Sequence, residues 1–284
     1  MTFRFRPRSR PSRAVLLLAL GLPVLAGCGG TSHGASASGG ASGPAIIVQN
    51  QPGQATPAGK GPVPKTGMAL DQPVPAAVAN LPLVDQDGRR FTLAGLHGKT
   101  VVLTDFLTLC QEVCPMTSAN VSGAQQAVAR AGLGGQVVFV EATVDPGRDT
   151  PARLAAYQKL FGATPDWRFA TGSAADLARL WKFFGVYYAK VAEDPGPPPK
   201  DWWTGKPLTY DVQHQDVVYV LGPDGHERWE DTATPDARGQ ALPHPLATFL
   251  NAQGRQNQSA PSGPTWTAGD VEQALTYVTG QKVG

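Results

Sequence analysis

Apolar residues enter this chain in blocks, and the blocks differ in kind. Ala14 to Val24 is an apolar run interrupted only by Gly21 and Pro23. It is too short for a comfortable membrane span but suits the core of a signal peptide. Residues 28–75 then show no periodic pattern and are mostly Gly, Pro, Ser, Ala, Thr and Gln. From Leu81 the pattern becomes that of a folded domain. Leu81 to Leu93 predicts a β-hairpin turning at Asp87-Gly88. Val101 to Leu107 and Val137 to Ala142 are continuous apolar runs and predict buried strands. Between them, Pro115 to Ala131 is helix-compatible apart from Gly123. Asp149-Thr150-Pro151 predicts a helix start, with a capping side chain and Pro in the first turn, and the helix runs to Phe161. A short strand at Asp166–Phe169 and a helix capped by Ser173 and running to Phe184 follow. A Pro-rich loop leads to a strand from Asp216 to Gly222, a turn at Pro223-Asp224-Gly225, and a last helix from Ala268 to Val278. Residues 251–265, rich in Gln, Ser, Gly and Pro, are expected to be a surface insertion.

This order of β-hairpin, β, α, β, α, β, α and β-hairpin predicts an α/β sandwich of thioredoxin type. Composition adds a boundary. Gly and Pro number 33 and 26 of 284 residues, well above the average shares of roughly 7% and 5%. Residues 28–75 hold much of that excess and cannot bury enough apolar surface to offset their ordering entropy. They are expected to form a flexible tether with a reach of roughly 38 Å if coil-like, with the folded domain spanning 76–284.

Charge removes one class of function. The net charge is +2, yet Arg4, Arg6, Arg8, Arg10 and Arg13 all precede the apolar run. The chain beyond them is mildly acidic, so it lacks the basic footprint that phosphate backbones require. No nucleic-acid partner is expected. The apolar run ends in Leu25-Ala26-Gly27-Cys28, which resembles a bacterial lipobox. That resemblance implies cleavage after residue 27, lipidation of Cys28, and a domain anchored on the outer face of the cytoplasmic membrane.

With three Cys in the chain, a disulfide-rich scaffold is excluded. Two of them, Cys110 and Cys114, sit between a predicted buried strand and a predicted helix. A strand-to-helix junction offers backbone N–H groups and the positive helix end, which favour thiolate. Four-residue spacing on a helical turn puts both sulfurs on one face, where they can close a disulfide or share a soft metal. A purely structural disulfide is the plainer alternative, although so short a loop contributes little.

Cys110-Gln111-Glu112-Val113-Cys114-Pro115, Val144-Asp145-Pro146-Gly147-Arg148-Asp149-Thr150-Pro151, Phe184-Gly185-Val186-Tyr187-Tyr188 and Tyr210-Asp211-Val212-Gln213-His214 occur in that order. In this order and spacing they resemble the Sco/SenC family of copper-binding, thioredoxin-fold proteins, over roughly residues 79–231. The resemblance implies copper held by Cys110, Cys114 and His214, with His214 on an inserted β-hairpin. It also implies a role in assembling the copper centre of cytochrome c oxidase. Thiolates suit Cu(I), and an imidazole lets the site hold Cu(II) as well. The alternative is a thiol–disulfide oxidoreductase in which Cys110 and Cys114 form the redox pair and reduce a client's cysteines. A peroxide-reducing enzyme fits less well, because the peroxidase-type Cys surroundings are absent.

The chain departs from the family pattern at Gln111, Gln213 and Gln215. The carboxylate usually found beside the ligand His is missing, so a less ordered imidazole is expected, with Asp211 and Asp216 as the candidate replacements. Met116 is expected in the core, and His33, His97, His226 and His244 as bystanders. Asp149 and Thr150 are expected as helix caps. Trp202-Trp203 is either loop packing or a docking patch.

Overall fold

The computed structural model describes residues 59–162, 164–193 and 195–284. The signal-like segment, Cys28, His33 and the tether up to residue 58 lie outside the described residues. In chain order the elements are β1 (Met68–Pro73), α1 (Ala76–Ala79), β2 (Leu83–Asp85), β3 (Arg90–Phe91), β4 (Thr100–Phe106), α2 (Cys114–Arg130), β5 (Val137–Thr143) and α3 (Pro151–Phe161). They continue with β6 (Trp167–Gly172), α4 (Ala174–Phe183), β7 (Tyr188–Val191), β8 (Asp211–His214), β9 (Val218–Leu221) and β10 (His226–Asp231). The last are β11 (Thr234–Pro235), α5 (His244–Phe249), α6 (Ala252–Ser259), β12 (Thr265–Trp266) and α7 (Ala268–Thr279).

Eight strands form the main sheet in the order β1-β10-β9-β4-β5-β6-β2-β3. The continuous apolar strands β4 and β5 lie at its centre, buried along their whole length, as parallel strands covered on both faces must be. β4, β5 and β6 are parallel, and β9 runs antiparallel to β4. The four strands β10-β9-β4-β5, with α2 following β4 and α7 closing the chain, make the thioredoxin-type sandwich that the pattern predicts. Large aromatics fill the core: Phe106, Tyr157 and Phe169 meet at 5.5–5.7 Å between ring centroids, mostly in the tilted or edge-to-face arrangements that ring quadrupoles favour.

Helix ends follow local chemistry. Thr150 caps α3 by accepting from the Arg153 N–H, and Pro151 occupies the first turn. Ser173 caps α4 in the same way. Thr267 and Asp270 form a reciprocal capping box on α7, which ends at Gly280 with φ of 73°, a left-handed conformation that favours glycine.

Two expectations are corrected. The folded part begins earlier than residue 76: β1 pairs antiparallel with β10 and adds a strand to the sheet edge, while Lys60 and Gly61 donate backbone N–H groups to the Tyr277 carbonyl. Residues 251–265 are mostly exposed and largely ordered, forming α6 and the start of β12. Asp149 is not a helix cap. It is buried and accepts from the Thr108 N–H, the Thr108 hydroxyl and the Thr143 hydroxyl.

Candidate metal centre

β4 leaves the sheet at Phe106, and the chain turns immediately. That turn is pinned from two sides. Asp149 holds Thr108 through both its N–H (3.2 Å) and its hydroxyl (2.5 Å). The Trp202 indole N–H donates to the Thr108 carbonyl at 2.7 Å, and its ring packs at 6.0 Å from Tyr157. Trp202 therefore packs within the loop, whereas Trp203 stays 46% exposed. The turn delivers Cys110 to the start of α2, where its Sγ accepts from the Val113 and Cys114 N–H groups, both at 3.4 Å. These are donors that a helix start leaves without helical partners.

The two thiols are not equivalent. The Cys110 thiol is held well below its usual range, first by the hydrogen bond from Cys114 and then, against its burial, by His214. Cys114 is fully buried, and burial together with the Cys110 sulfur pushes its thiol up. The surroundings thus favour thiolate at Cys110 over Cys114. No disulfide joins them.

His214 ends β8, paired across a two-stranded sheet with Tyr188 of β7. This is the hairpin that the resemblance implies. Its Nε2 lies 3.3 Å from Cys114 Sγ. The two sulfurs and an imidazole nitrogen all fall within 4.8 Å of one another. Bonds of about 2.0–2.3 Å to nitrogen and sulfur put donors roughly 3.5–4 Å apart in a trigonal site, so the three side chains fit a soft or borderline metal ion. Two thiolates and one imidazole suit copper or zinc.

The imidazole is well ordered, contrary to the expectation from the missing neighbouring carboxylate. Asp105, fully buried in β4, meets His214 Nδ1 at 2.7 Å with one oxygen. Its other oxygen accepts from the Val217 N–H at 2.9 Å. In the neutral ring, an Nδ1–H directed at Asp105 leaves the Nε2 lone pair facing the thiols, which is the tautomer a ligand needs. Burial pulls the imidazole pKa down, but the Asp105 and Cys110 partners outweigh it and hold it well above the usual value. Neither expected replacement hydrogen-bonds the ring. Asp216 accepts from the Thr117 hydroxyl at 3.0–3.1 Å, and Asp211 accepts from the Val212 N–H at 2.7 Å.

Asp105 did carry a signal: it is the one carboxylate in the apolar strand β4, and a buried charge requires a partner. Asn251, which contacts the loop between the cysteines from α6, carried none. Met116 is fully buried against Ala119 and Ala237 and belongs to the core. His97 and His244 are exposed, and His226 pairs with Asp71 at 2.6 Å. A cleft of about 490 Å³ opens at the site, lined among others by Cys110, Glu112, Asp211, His214 and Asn251. Cys114 lies behind it.

A thioredoxin-type sandwich with a Cys-Cys-His cluster at the end of its central strand is thus the class of protein defined here. Residues 72–249 match the family model described as SCO1/SenC, and the chain belongs to that family. Over 155 residues it is 31% identical to a Stutzerimonas stutzeri protein whose name proposes copper binding, covering 54% of this chain and 67% of that protein. It is 34% identical over 145 residues to the mitochondrial SCO2 homolog of Bos taurus, covering 50% and 49%. The chain thus spans between about half and two thirds of the length of these relatives. Among solved structures, the copper-bound ScoI of Arabidopsis thaliana is 27% identical, with a TM-score of 0.45 over 54% of this chain and 85% of that one.

Proposed function

We propose that this protein is a copper chaperone that carries one copper ion on Cys110, Cys114 and His214 and passes it to a copper centre of cytochrome c oxidase. One observation carries the reading: the two sulfurs and the imidazole nitrogen converge within 4.8 Å, with the ring held by Asp105. The copper is cargo, and the chain's own part is to present a soft donor set that a partner's thiolates can displace. Uptake requires Cys114 to lose its proton and His214 to be neutral, so loading releases protons and strengthens as pH rises. The family and the name of the Stutzerimonas stutzeri relative support copper as the ion, and the family supports oxidase assembly as the process. The arginine-rich, apolar start ending at Cys28 supports a lipid anchor and an extracytoplasmic place.

The reduced protein, titrated with copper beside Cys110→Ser and His214→Ala, tests the reading. One copper per chain is expected, with thiolate-to-Cu(II) charge transfer that is lost in the first variant and weakened in the second. No stable copper in the reduced parent protein overturns it.

A second reading is favoured by the unequal thiols. A stabilised thiolate on the cleft wall with a buried thiol behind it suits thiol–disulfide exchange, with Cys110 attacking and Cys114 resolving. His214→Ala separates the two functions: oxidase maturation lost while exchange persists favours copper transfer, and maturation retained favours reduction of a client's cysteines.

A further inference from the structure

The family match ends at residue 249, and the segment just beyond it grips the loop between the two cysteines. Asn251 makes three hydrogen bonds that matter here. Its N–H donates to the Gln111 carbonyl at 3.1 Å, and its side-chain Nδ2 donates to Glu112 Oε1 at 2.9 Å. Its Oδ1 accepts from the Gly254 N–H at 2.8 Å, capping α6. The contact is close: a Cβ on Gly254 would lie 2.0 Å from the Gln111 carbonyl oxygen. Gln111 and Cys110 next to it are both buried, and both border the cleft. Two of the three residues between the cysteines are therefore fastened to a helix more than 130 residues away in sequence.

Nothing in the Cys110–Cys114 loop alone supplies that restraint. The loop's own hydrogen bonds run to Cys110 Sγ and along the first turn of α2. Forming a disulfide requires the sulfurs to close from within 4.8 Å to about 2.0 Å with a defined torsion, and any shift of the three-residue backbone that accompanies closure passes through residues 111 and 112. A clamp on residues 111 and 112 resists the shift.

We propose that Asn251 is a positioning residue for the cysteine pair, holding the loop in its open dithiol arrangement and so favouring the reduced form. The equilibrium concerned is explicit. The Cys110 thiolate attacks one sulfur of a small-molecule disulfide such as glutathione disulfide and releases one thiol. Cys114, losing its proton, then attacks the Cys110 sulfur of the mixed disulfide and releases the second. Two electrons pass to the small disulfide and two small thiols form. The inference concerns this equilibrium, and it stands whether the pair carries copper or exchanges disulfides.

The test equilibrates the full chain in glutathione redox buffers and reads the Cys110/Cys114 peptide by differential alkylation and mass spectrometry. Asn251→Asp keeps an oxygen for the Gly254 cap but cannot donate to Glu112. It is expected to raise the disulfide-to-dithiol ratio about tenfold, the equivalent of one charge-assisted hydrogen bond, which is a potential about 30 mV lower. Glu112→Gln keeps an acceptor oxygen and is expected to stay within about twofold. The decisive variant is Asn251→Asp combined with Glu112→Gln. It reverses the polarity of the bond at unchanged net charge and is expected to restore the parent ratio. Thermal midpoints check folding throughout, and Asn251→Ser, which caps α6 but is too short to reach Glu112, repeats the first arm independently. An unchanged ratio in both single variants at position 251, or a folded double variant that fails to restore it, overturns the proposal. A merely structural role for α6 predicts no rescue by reversed polarity.

Discussion

Replacing Asp105 by Asn changes one atom and should inactivate the imidazole as a ligand. Asp105 accepts two hydrogen bonds, from the Val217 N–H at 2.9 Å and from His214 Nδ1 at 2.7 Å, in a site where its own side chain is fully buried. An amide of the same shape has only one acceptor oxygen. If that oxygen keeps the Val217 N–H, the amide NH2 faces His214, and the ring can satisfy it only by moving its proton from Nδ1 to Nε2. The proton then sits on the nitrogen that faces Cys114 at 3.3 Å, where the metal lone pair is needed. Losing a hydrogen bond to a charged group costs about 1.5–3 kcal/mol. Outer partners of metal-bound histidines typically contribute 10- to 100-fold in affinity, or about 1.4–2.7 kcal/mol, so the two estimates agree. Copper affinity measured by chelator competition should fall by about 10- to 100-fold, with the larger effect on Cu(II). Nitrogen-resolved NMR of the apo protein, recorded at a pH where the ring is neutral, should show the tautomer reversed. An affinity within about threefold of the parent, with the tautomer unchanged, refutes the reasoning.

Three further outcomes are expected. Glu141, buried in β5 beneath the site, accepts from Ser118 and Trp167, and burial raises its pKa from 4.5 to about 8. A folded pKa above the unfolded one means its contribution is complete below about pH 4.5 and lost as pH rises through about 8, because the unfolded chain ionises first. Glu141→Gln lacks that slope, so its thermal midpoint relative to the parent should rise between pH 5 and pH 9; a constant difference counts against it. Iodoacetamide at neutral pH should modify Cys110 well before Cys114, since Cys110 carries the stabilised thiolate and lines the cleft; equal labelling by peptide mapping contradicts the assigned asymmetry. Gly254→Ala, with its Cβ 2.0 Å from the Gln111 carbonyl, should destabilise by about 1–3 kcal/mol of overpacking in urea titration, and an unperturbed midpoint would show that the helix-to-loop contact is not tight.

What could be read in advance follows from how local each feature is. The continuous apolar runs of β4 and β5, and Thr150-Pro151 at the start of α3, specify their elements within a few residues, and the structure places them there. The cysteine pair was equally legible, because strand, turn and helix are adjacent in the chain. β1 was not. It is an edge strand with no fully buried residue, so its pattern carries no core-facing alternation, and only pairing with β10 defines it. α6 has the sequence Ala-Gln-Gly-Arg-Gln-Asn-Gln-Ser, without an apolar stripe, and it exists through its Asn251 cap and its contact with Gln111. Asp105 was visible as an isolated carboxylate in a buried strand, yet its partner lies 109 residues away. The pairing of β9 with β4 sets Val218 beside Thr104, and this register brings Asp105 to Val217 and His214. No neighbouring residue encodes that meeting.

The site is built in two halves that are held differently, and this bears on how a metal would leave it. His214 is fixed from beneath by Asp105, which is itself locked to the Val217 backbone in the central sheet. The cysteine loop is fixed from outside, by Asp149 and Trp202 through Thr108 on one flank and by Asn251 through Gln111 and Glu112 on the other. Of the two sulfurs, Cys110 alone lines the cleft. On the copper reading, an incoming thiolate therefore meets the Cys110–metal bond first, and Cys114 and the sheet-anchored imidazole keep the ion until a second donor arrives. Burial sets that order of exchange, because Cys110 lines the cleft and Cys114 lies behind it. The loop that must yield for the second displacement is the one Asn251 clamps. The helix that lies just beyond the family match thus bears on the step at which cargo is either retained or released.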